Sequence, residues 1–219
     1  MEKYFEILKK CALFEGICES DLSKLLSCLG VRPSDFKKNE TVIREGDRAK
    51  YIGIVLGGSV QIESTDHLGN RSIVGSVAAG ELFGETLTCA GLEWMPVFVL
   101  AKEDSAILLI EASRISAPCS ASCSFHSSMI YNLMKILARK NLNFHRKLEV
   151  LSKRTTEEKL MAYLDIEAKR QHSQSFTIPF DRQGLADYLG VDRSGLSAVI
   201  GRLTRDGVIR CHKNSFTLL

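Results

Sequence analysis

The apolar residues of this chain change their spacing twice, and few folds accommodate that. Up to Gly30 they recur at helical intervals (Tyr4, Phe5, Leu8, then Leu22, Leu25, Leu26, Leu29), with Gly30 placed as a C-cap. From about Lys38 to Glu111 the texture becomes short runs rich in Val, Ile and Tyr and punctuated by glycine, as in "TVIREGD", "YIGIVLGGSVQIES" and "AILLIE". Brief strands with turns every ~8–12 residues predict an all-β barrel or sandwich. Gly46, Gly58, Gly69 and Gly80 lie 12, 11 and 11 residues apart, like turns of one repeated winding. From Ser127 the period is seven: Ile130, Leu137, Phe144 and Leu151, flanked by Leu133, Met134 and Leu148, with Lys135, Arg139, Lys140, Arg146 and Lys147 on the other faces. That stripe predicts a helix over 127–152, packed on its own β domain or forming a seam between two identical chains, and its length favours the seam. Thr155 followed three residues later by Glu158 is a capping box, so a new helix starts there and a domain boundary falls near Lys153.

Composition narrows the function classes. With 45% apolar residues the chain builds ordinary packed cores, and its apolar runs are far short of the ~20 residues that cross a bilayer. The start, "MEKYFEILKK", carries charges inside its apolar pattern, so no secretory signal or membrane span is expected. Seven cysteines without framework spacing read as free thiols in a reducing compartment, which places the protein in the cytoplasm. All of the net charge of +3 lies from Lys153 onward, where 11 Lys and Arg meet 8 Asp and Glu; the first 152 residues hold 18 of each. A polyanionic partner is therefore expected for the last third.

"FDRQGLADYLGVDRSGLSAVIGRLTRDGVI", residues 180–209, holds two helical patterns split by Gly190. Asp181 caps the first, with Leu185 and Leu189 inward and Ala186 where two helices cross closely; Asp192 caps the second, with Leu196, Ile200 and Leu203 inward. This is helix-turn-helix spacing. Arg193, Ser194 and Ser197 open the outward side of the second helix, which puts a guanidinium and two hydroxyls at the end that enters a major groove. "SFTIPF" and "VIRCHKNSFTLL" alternate and are able to pair as a small sheet, a wing with His212, Lys213 and Asn214 at its tip near phosphates. The competing reading is a three-helix scaffold for protein contacts. No nucleotide-binding loop, nucleophile elbow or paired metal motif supports an enzyme.

These features together resemble the CRP/FNR family of bacterial transcription regulators. The likeness is carried by Gly46, Gly58, Gly69 and Gly80, by "GELFGE" from Gly80 to Glu85, by the long helix, and by "LADYLGVDRSGLS" at 185–197. It implies an α+β chain of three parts: an N-terminal β-roll sensor domain, double-stranded and jelly-roll-like, with its helical preface (1–126); a long dimerisation helix (127–152); and a C-terminal winged helix-turn-helix domain (153–219). It further implies a homodimer that reads a two-fold symmetric site on double-stranded DNA, meeting RNA polymerase if it activates. By resemblance Gln183 and Asp192 face the phosphate backbone, joined by Arg202. Ser194 stands where many members carry a base-reading Glu and Ala198 where several carry a second Arg, so a different half-site is expected.

The signal is less legible. In "GELFGETLTCAGLEWMPV", residues 80–97, Gly84 and Glu85 have the form of a phosphate cradle and Trp94 could cover an aromatic ring, yet the stretch has no Arg or Lys. Cyclic-AMP-binding members carry an Arg-Ser pair ten residues beyond the "GE"; here Met95 and Pro96 occupy those places. Cyclic AMP is therefore not expected as effector, and an uncharged small molecule against Trp94 and Met95 stays open, as does a cyclic-nucleotide-binding regulatory protein acting on another protein. The oxygen-sensing branch holds an iron-sulfur cluster on closely spaced N-terminal cysteines; Cys11, Cys18 and Cys28 are too widely spaced for it. In "PCSASCSFH", Cys119, Cys123 and His126 are separated by four and three residues and would share one face of a continuous helix. Metal, iron-sulfur or thiol-redox sensing there, and simple packing, are both open.

Overall fold

The computed structural model describes residues 2–68, 71–116 and 124–219, so Gly69, Cys119 and Cys123 lie outside the described residues. The chain packs as two units, Met1–Ala138 and Arg139–Leu219.

The first unit begins with helices α1 (Phe5–Lys10) and α2 (Glu19–Leu29), the latter closed by Gly30 in the left-handed conformation. Strands β1 (Pro33–Phe36), β2 (Thr41–Ile43), β3 (Tyr51–Gly57), β4 (Ser59–Thr65), β5 (Arg71–Ala78) and β6 (Leu82–Phe83) follow. A short helix α3 (Glu85–Cys89) precedes β7 (Phe98–Ala101), β8 (Ser105–Glu111), α4 (Ala112–Ser116) and the long α5 (Ser124–Leu151). Two antiparallel sheets result, ordered β1-β8-β3-β6 and β2-β7-β4-β5. Ile43, Val55, Val60, Val77, Phe83, Met95, Val99 and Ile107 fill the space between them.

The first sheet is covered on its other side as well. Ile52, Ile54, Leu56, Leu108 and Ile110 pack there with Leu8, Phe14, Leu22 and Leu25 of the preface and with Met129, Leu133 and Ile136 of α5. A strand buried on both faces needs apolar residues at successive positions, which is why β3 reads "YIGIVLG" while β4 alternates in "SVQIEST". Between them Gly58 turns the chain at φ +76°, and a Cβ there would come within 2.4 Å of Ser105 Oγ and 2.6 Å of the Asp104 carbonyl. Only glycine meets both demands.

In its first half α5 is held to the preface by polar contacts. Buried Asn132 donates through Nδ2 to the carbonyls of Leu13 (3.1 Å) and Glu15 (2.8 Å), and Lys135 Nζ lies 3.0 Å from the Glu15 carboxylate. Leu133, which the heptad pattern grouped with the stripe, packs inward with these residues, because it lies one helical turn from both Met129 and Ile136. Along the same helix Tyr131, Met134, Leu142, Phe144 and Leu148 are exposed, and Ile130 and Leu137 are half-buried.

The second unit takes the end of α5 and adds α6 (Thr156–Gln171), β9 (Ser175–Thr177), α7 (Arg182–Leu189), α8 (Arg193–Arg205), β10 (Ile209–His212) and β11 (Ser215–Leu218). Its sheet is antiparallel, ordered β10-β11-β9, so the two alternating runs do pair as a wing. Leu160, Leu164, Leu185, Leu189, Leu196, Ile200 and Leu203 form the core beneath it with Phe176, Ile209 and Phe216. The expected capping box is complete: Glu158 N–H donates to Thr155 Oγ1 and Thr155 N–H to Glu158 Oε2, both at 3.1 Å. No helix among the described residues is long and apolar enough to cross a membrane.

Replacing Asn132 by Ala removes the donor from the buried Leu13 carbonyl and the part-buried Glu15 carbonyl and is expected to cost about 1–3 kcal/mol in urea unfolding. Lys135→Met, which removes only a half-exposed ion pair, is expected to cost under about 1 kcal/mol in the same measurement.

Candidate nucleic-acid interface

The candidate interface is built by two caps and one crossing. Asp181 Oδ1 accepts from Gly184 N–H at 2.7 Å and starts α7; Asp192 Oδ2 accepts from Gly195 N–H at 2.8 Å and starts α8. Each carboxylate satisfies a backbone donor that the first helical turn leaves without a partner and adds negative charge at the positive end of the helix. Gly190 closes α7 at φ +60°, a left-handed turn that reverses the chain into the second cap within two residues. Ala186 is fully buried in the core that α7 and α8 share, where a longer side chain would hold the helices apart.

With Leu196, Ile200 and Leu203 facing the core, α8 presents Arg193, Ser194, Ser197, Ala198, Arg202 and Arg205 to solvent. Gly201 continues that face, since a Cβ there would meet nothing within 4 Å. The face is therefore a strip of small residues with cationic ends, which lets a helix sink between DNA backbones and reach base edges. Among the described residues Arg193 has no acidic partner. Ser194 is already engaged, its hydroxyl donating to the Asp192 carboxylate. That hydroxyl, followed by the Gly195 amide, holds the Asp192 carboxyl below the usual carboxylate range.

The other expected contacts have local partners as well. Gln183 Nε2 donates to Asp187 Oδ1 at 2.8 Å, and Arg202 pairs with Glu157 of α6. Lys213 sits at the wing tip at φ +54° in the two-residue turn between His212 and Ser215, where Arg182 Nη2 reaches its carbonyl at 3.4 Å. The sequence reading passed over Gly201, Arg205 and Arg182. Gly201 and Arg205 continue the four-residue step from Arg193 and Ser197, whereas the role of Arg182 in holding the wing turn depends on a contact 31 residues away.

In the roll, Gly84 is the left-handed N-cap of α3 and Glu85 is buried beside Thr86, whose hydroxyl donates to it at 3.0 Å. Trp94 and Met95 part company. Trp94 is half exposed with the Arg48 guanidinium 5.3 Å from its ring, while Met95 is 2% exposed among the residues between the two sheets. The expected pairing of both against one ligand therefore does not form, because successive residues of extended chain point to opposite sides and Trp94 bridges to Arg48. The place of the phosphate-neutralising arginine is filled by a thioether in an apolar core.

The cysteines of the preface do not converge. Cys11 is buried, its thiol pushed up to about 11 by burial, and Cys18 and Cys28 are exposed. His126 is buried, with Nε2 2.8 Å from the Ile115 carbonyl and, among the described residues, no hydrogen-bond partner for Nδ1. Its expected companions, Cys119 and Cys123, lie outside the described residues. Among the described residues no three His, Cys, Asp or Glu side chains are grouped to hold a metal ion.

Comparison with known proteins matches two segments of the chain. The family model for the cyclic nucleotide-binding domain matches residues 33–121, and that for the Crp-like helix-turn-helix domain matches 158–219. The transcriptional activator protein FnrA of Stutzerimonas stutzeri is 24% identical over 193 residues, 86% of this chain and 77% of that protein. The fumarate and nitrate reduction regulatory protein of Escherichia coli strain K12 is 22% identical, over 81% of this chain and 71% of its own length. The catabolite activator protein of Thermus thermophilus has the same fold, with a TM-score of 0.54 at 23% identity, covering 95% of this chain and 93% of that one.

The Asp192 cap carries a pH signature. A carboxyl lowered on folding contributes stability that is full above its unfolded value, about 4, and is lost as pH falls through the folded value. Asp192→Asn is expected to flatten the loss of melting temperature between about pH 5 and pH 3 relative to the unmodified chain.

Proposed function

Because the chain belongs to the CRP/FNR family of transcription regulators, with a Crp-like helix-turn-helix DNA-binding domain, we propose that it acts as an effector-controlled homodimer whose two α8 helices read half-sites about one helical turn apart. The observation that carries this reading is the exposed small-residue face of α8, headed by Arg193, which has no acidic partner among the described residues. Arg193 donates to guanine O6 and N7. Ser194 and Ser197 line the groove, and the α7 end at Gln183, the α8 end at Asp192, and Lys213 approach phosphates. Arg202 exchanges Glu157 for a phosphate. The heptad face of α5 supports the dimer: Met134, Phe144 and Leu148 are exposed at spacings that alternate between the two arms of a seam. RNA polymerase is the further partner if the protein activates.

The signal is something other than cyclic AMP. Met95 supports this, since a buried thioether supplies no charge for a phosphate and Pro96 lacks a backbone donor. No reaction is assigned to the chain. A second reading of the signal rests on His126, whose Nε2 contact with the Ile115 carbonyl leaves the Nδ1 lone pair available to a soft metal alongside the Cys119 and Cys123 thiolates. Metal and sulfide analysis of anaerobically purified protein and of a Cys123→Ser variant tests it; equal metal content would remove that reading.

On a palindrome selected from random DNA, Arg193→Ala is expected to weaken binding by about 1–3 kcal/mol and to relax one base position in each half-site. Fluorescence anisotropy on selected and scrambled duplexes measures this, and an equal loss on both would remove Arg193 from base reading. Calorimetric titration with cyclic AMP is expected to give no saturable heat.

A further inference from the structure

The second unit contains a cleft of about 440 Å³ on a side of the head that the DNA reading does not use. Phe144, Tyr163, Phe180 and Tyr188 line it, and three of these rings meet one another. Tyr188 of α7 lies 5.2 Å, centroid to centroid, from Tyr163 of α6 and 5.1 Å from Phe180, all tilted against one another. Tyr163 is 3% exposed and lines the cleft. Burial first, then the neighbouring Glu167 carboxylate, raise the Tyr163 phenol above its ordinary range, so it remains an O–H donor at any physiological pH.

The charges around the cleft are unequal. Glu167 is buried, and its Oε2 is occupied by Arg170 Nη2 at 2.6 Å, Arg170 Nε at 3.1 Å and Gln171 Nε2 at 3.0 Å. That acid and base cancel at the floor. At the rim α5 contributes Lys147, its Nζ 5.4 Å from the Tyr188 ring centroid, and Arg146, whose nearest partner is Asn143 Oδ1 at 3.5 Å. Among the described residues neither faces a carboxylate. Lys147 already lies over the Tyr188 ring, and the surplus positive charge selects against a second cation there.

We infer that this cleft is a binding site for a small planar aromatic anion: the ring stacks against Tyr188 and Phe180, an acceptor takes the Tyr163 hydroxyl, and the anionic group lies between Lys147 and Arg146. Aromatic walls with a few convergent polar groups are the usual make-up of ligand sites of this volume. Because α5 and α7 both line it, an occupant bridges the helix proposed for dimerisation to the helix-turn-helix. That consequence for DNA affinity rests on the proposed function; binding itself does not.

The test uses the full chain without DNA and two fluorescent probes of one ring system, 8-anilinonaphthalene-1-sulfonate and its neutral analogue N-phenyl-1-naphthylamine. The sulfonate is expected to bind about tenfold or more tighter than the neutral dye. The Lys147→Gln, Arg146→Gln double variant is expected to erase that preference. Tyr163→Phe, with its melting temperature unchanged, is expected to weaken the sulfonate several-fold, and Arg48→Gln in the roll to change nothing. Equal affinity for the two dyes, full sulfonate binding by the double variant, or stronger competition by benzyltrimethylammonium than by anthranilate would each overturn the assignment. Since no arm involves DNA, failure here leaves the DNA-binding reading intact, and failure of that reading leaves this result readable.

Discussion

Three side-chain oxygens start the three helices of the head, and everything proposed about DNA depends on where those helices begin. Thr155, Asp181 and Asp192 each accept a backbone N–H that the first turn cannot satisfy within the helix. For α8 this sets the surface. With Asp192 as cap, Arg193 is the first helical residue, Leu196, Ile200 and Leu203 turn to the core, and the small residues between them turn out.

The two units handle chemistry in opposite ways. In the roll, the position where cyclic-AMP-binding relatives place a cation has joined the interior: Met95 packs with Val55, Phe83 and Ile107, so the sheet-to-sheet contact is continuous where a charged ligand would otherwise need compensation. In the head, polar and cationic groups stay near the surface, and the aromatic cleft sets the Tyr163 hydroxyl and the Lys140, Arg146 and Lys147 side chains of α5 beside its rings. If signal enters this protein by way of a charged small molecule, the head is better equipped for it than the roll.

Contacts between neighbours in sequence were legible, and contacts between strangers were not. The caps, the Gly190 turn, the inward leucines and the wing strands all follow from spacing, since helix and strand periods decide which side chains share a face. β3 and β8 were legible as strands, but their burial on both faces was not read from their unbroken apolar runs. Leu133 packs with Ile130 and Leu137 on the first unit's core, so the first half of the stripe follows the alternative of a helix packed on its own β domain, which a heptad pattern by itself cannot separate from a seam. Trp94 and Met95 looked like one patch because adjacent letters hide the alternation of extended chain, and Arg182 under the wing turn had no local signature at all.

The sequence alone therefore determined the order of elements, the family likeness and the residues on the outward face of α8, because caps, periods and turn residues act over a few positions. Only the tertiary structure decided that Met95 belongs to a core, that Asn132 ties α5 to the preface, and that Tyr163, Phe180 and Tyr188 meet around an open space. These outcomes depend on how residues distant along the chain fill volume and satisfy one another's hydrogen bonds, and such packing is set when elements dock, beyond the reach of local spacing.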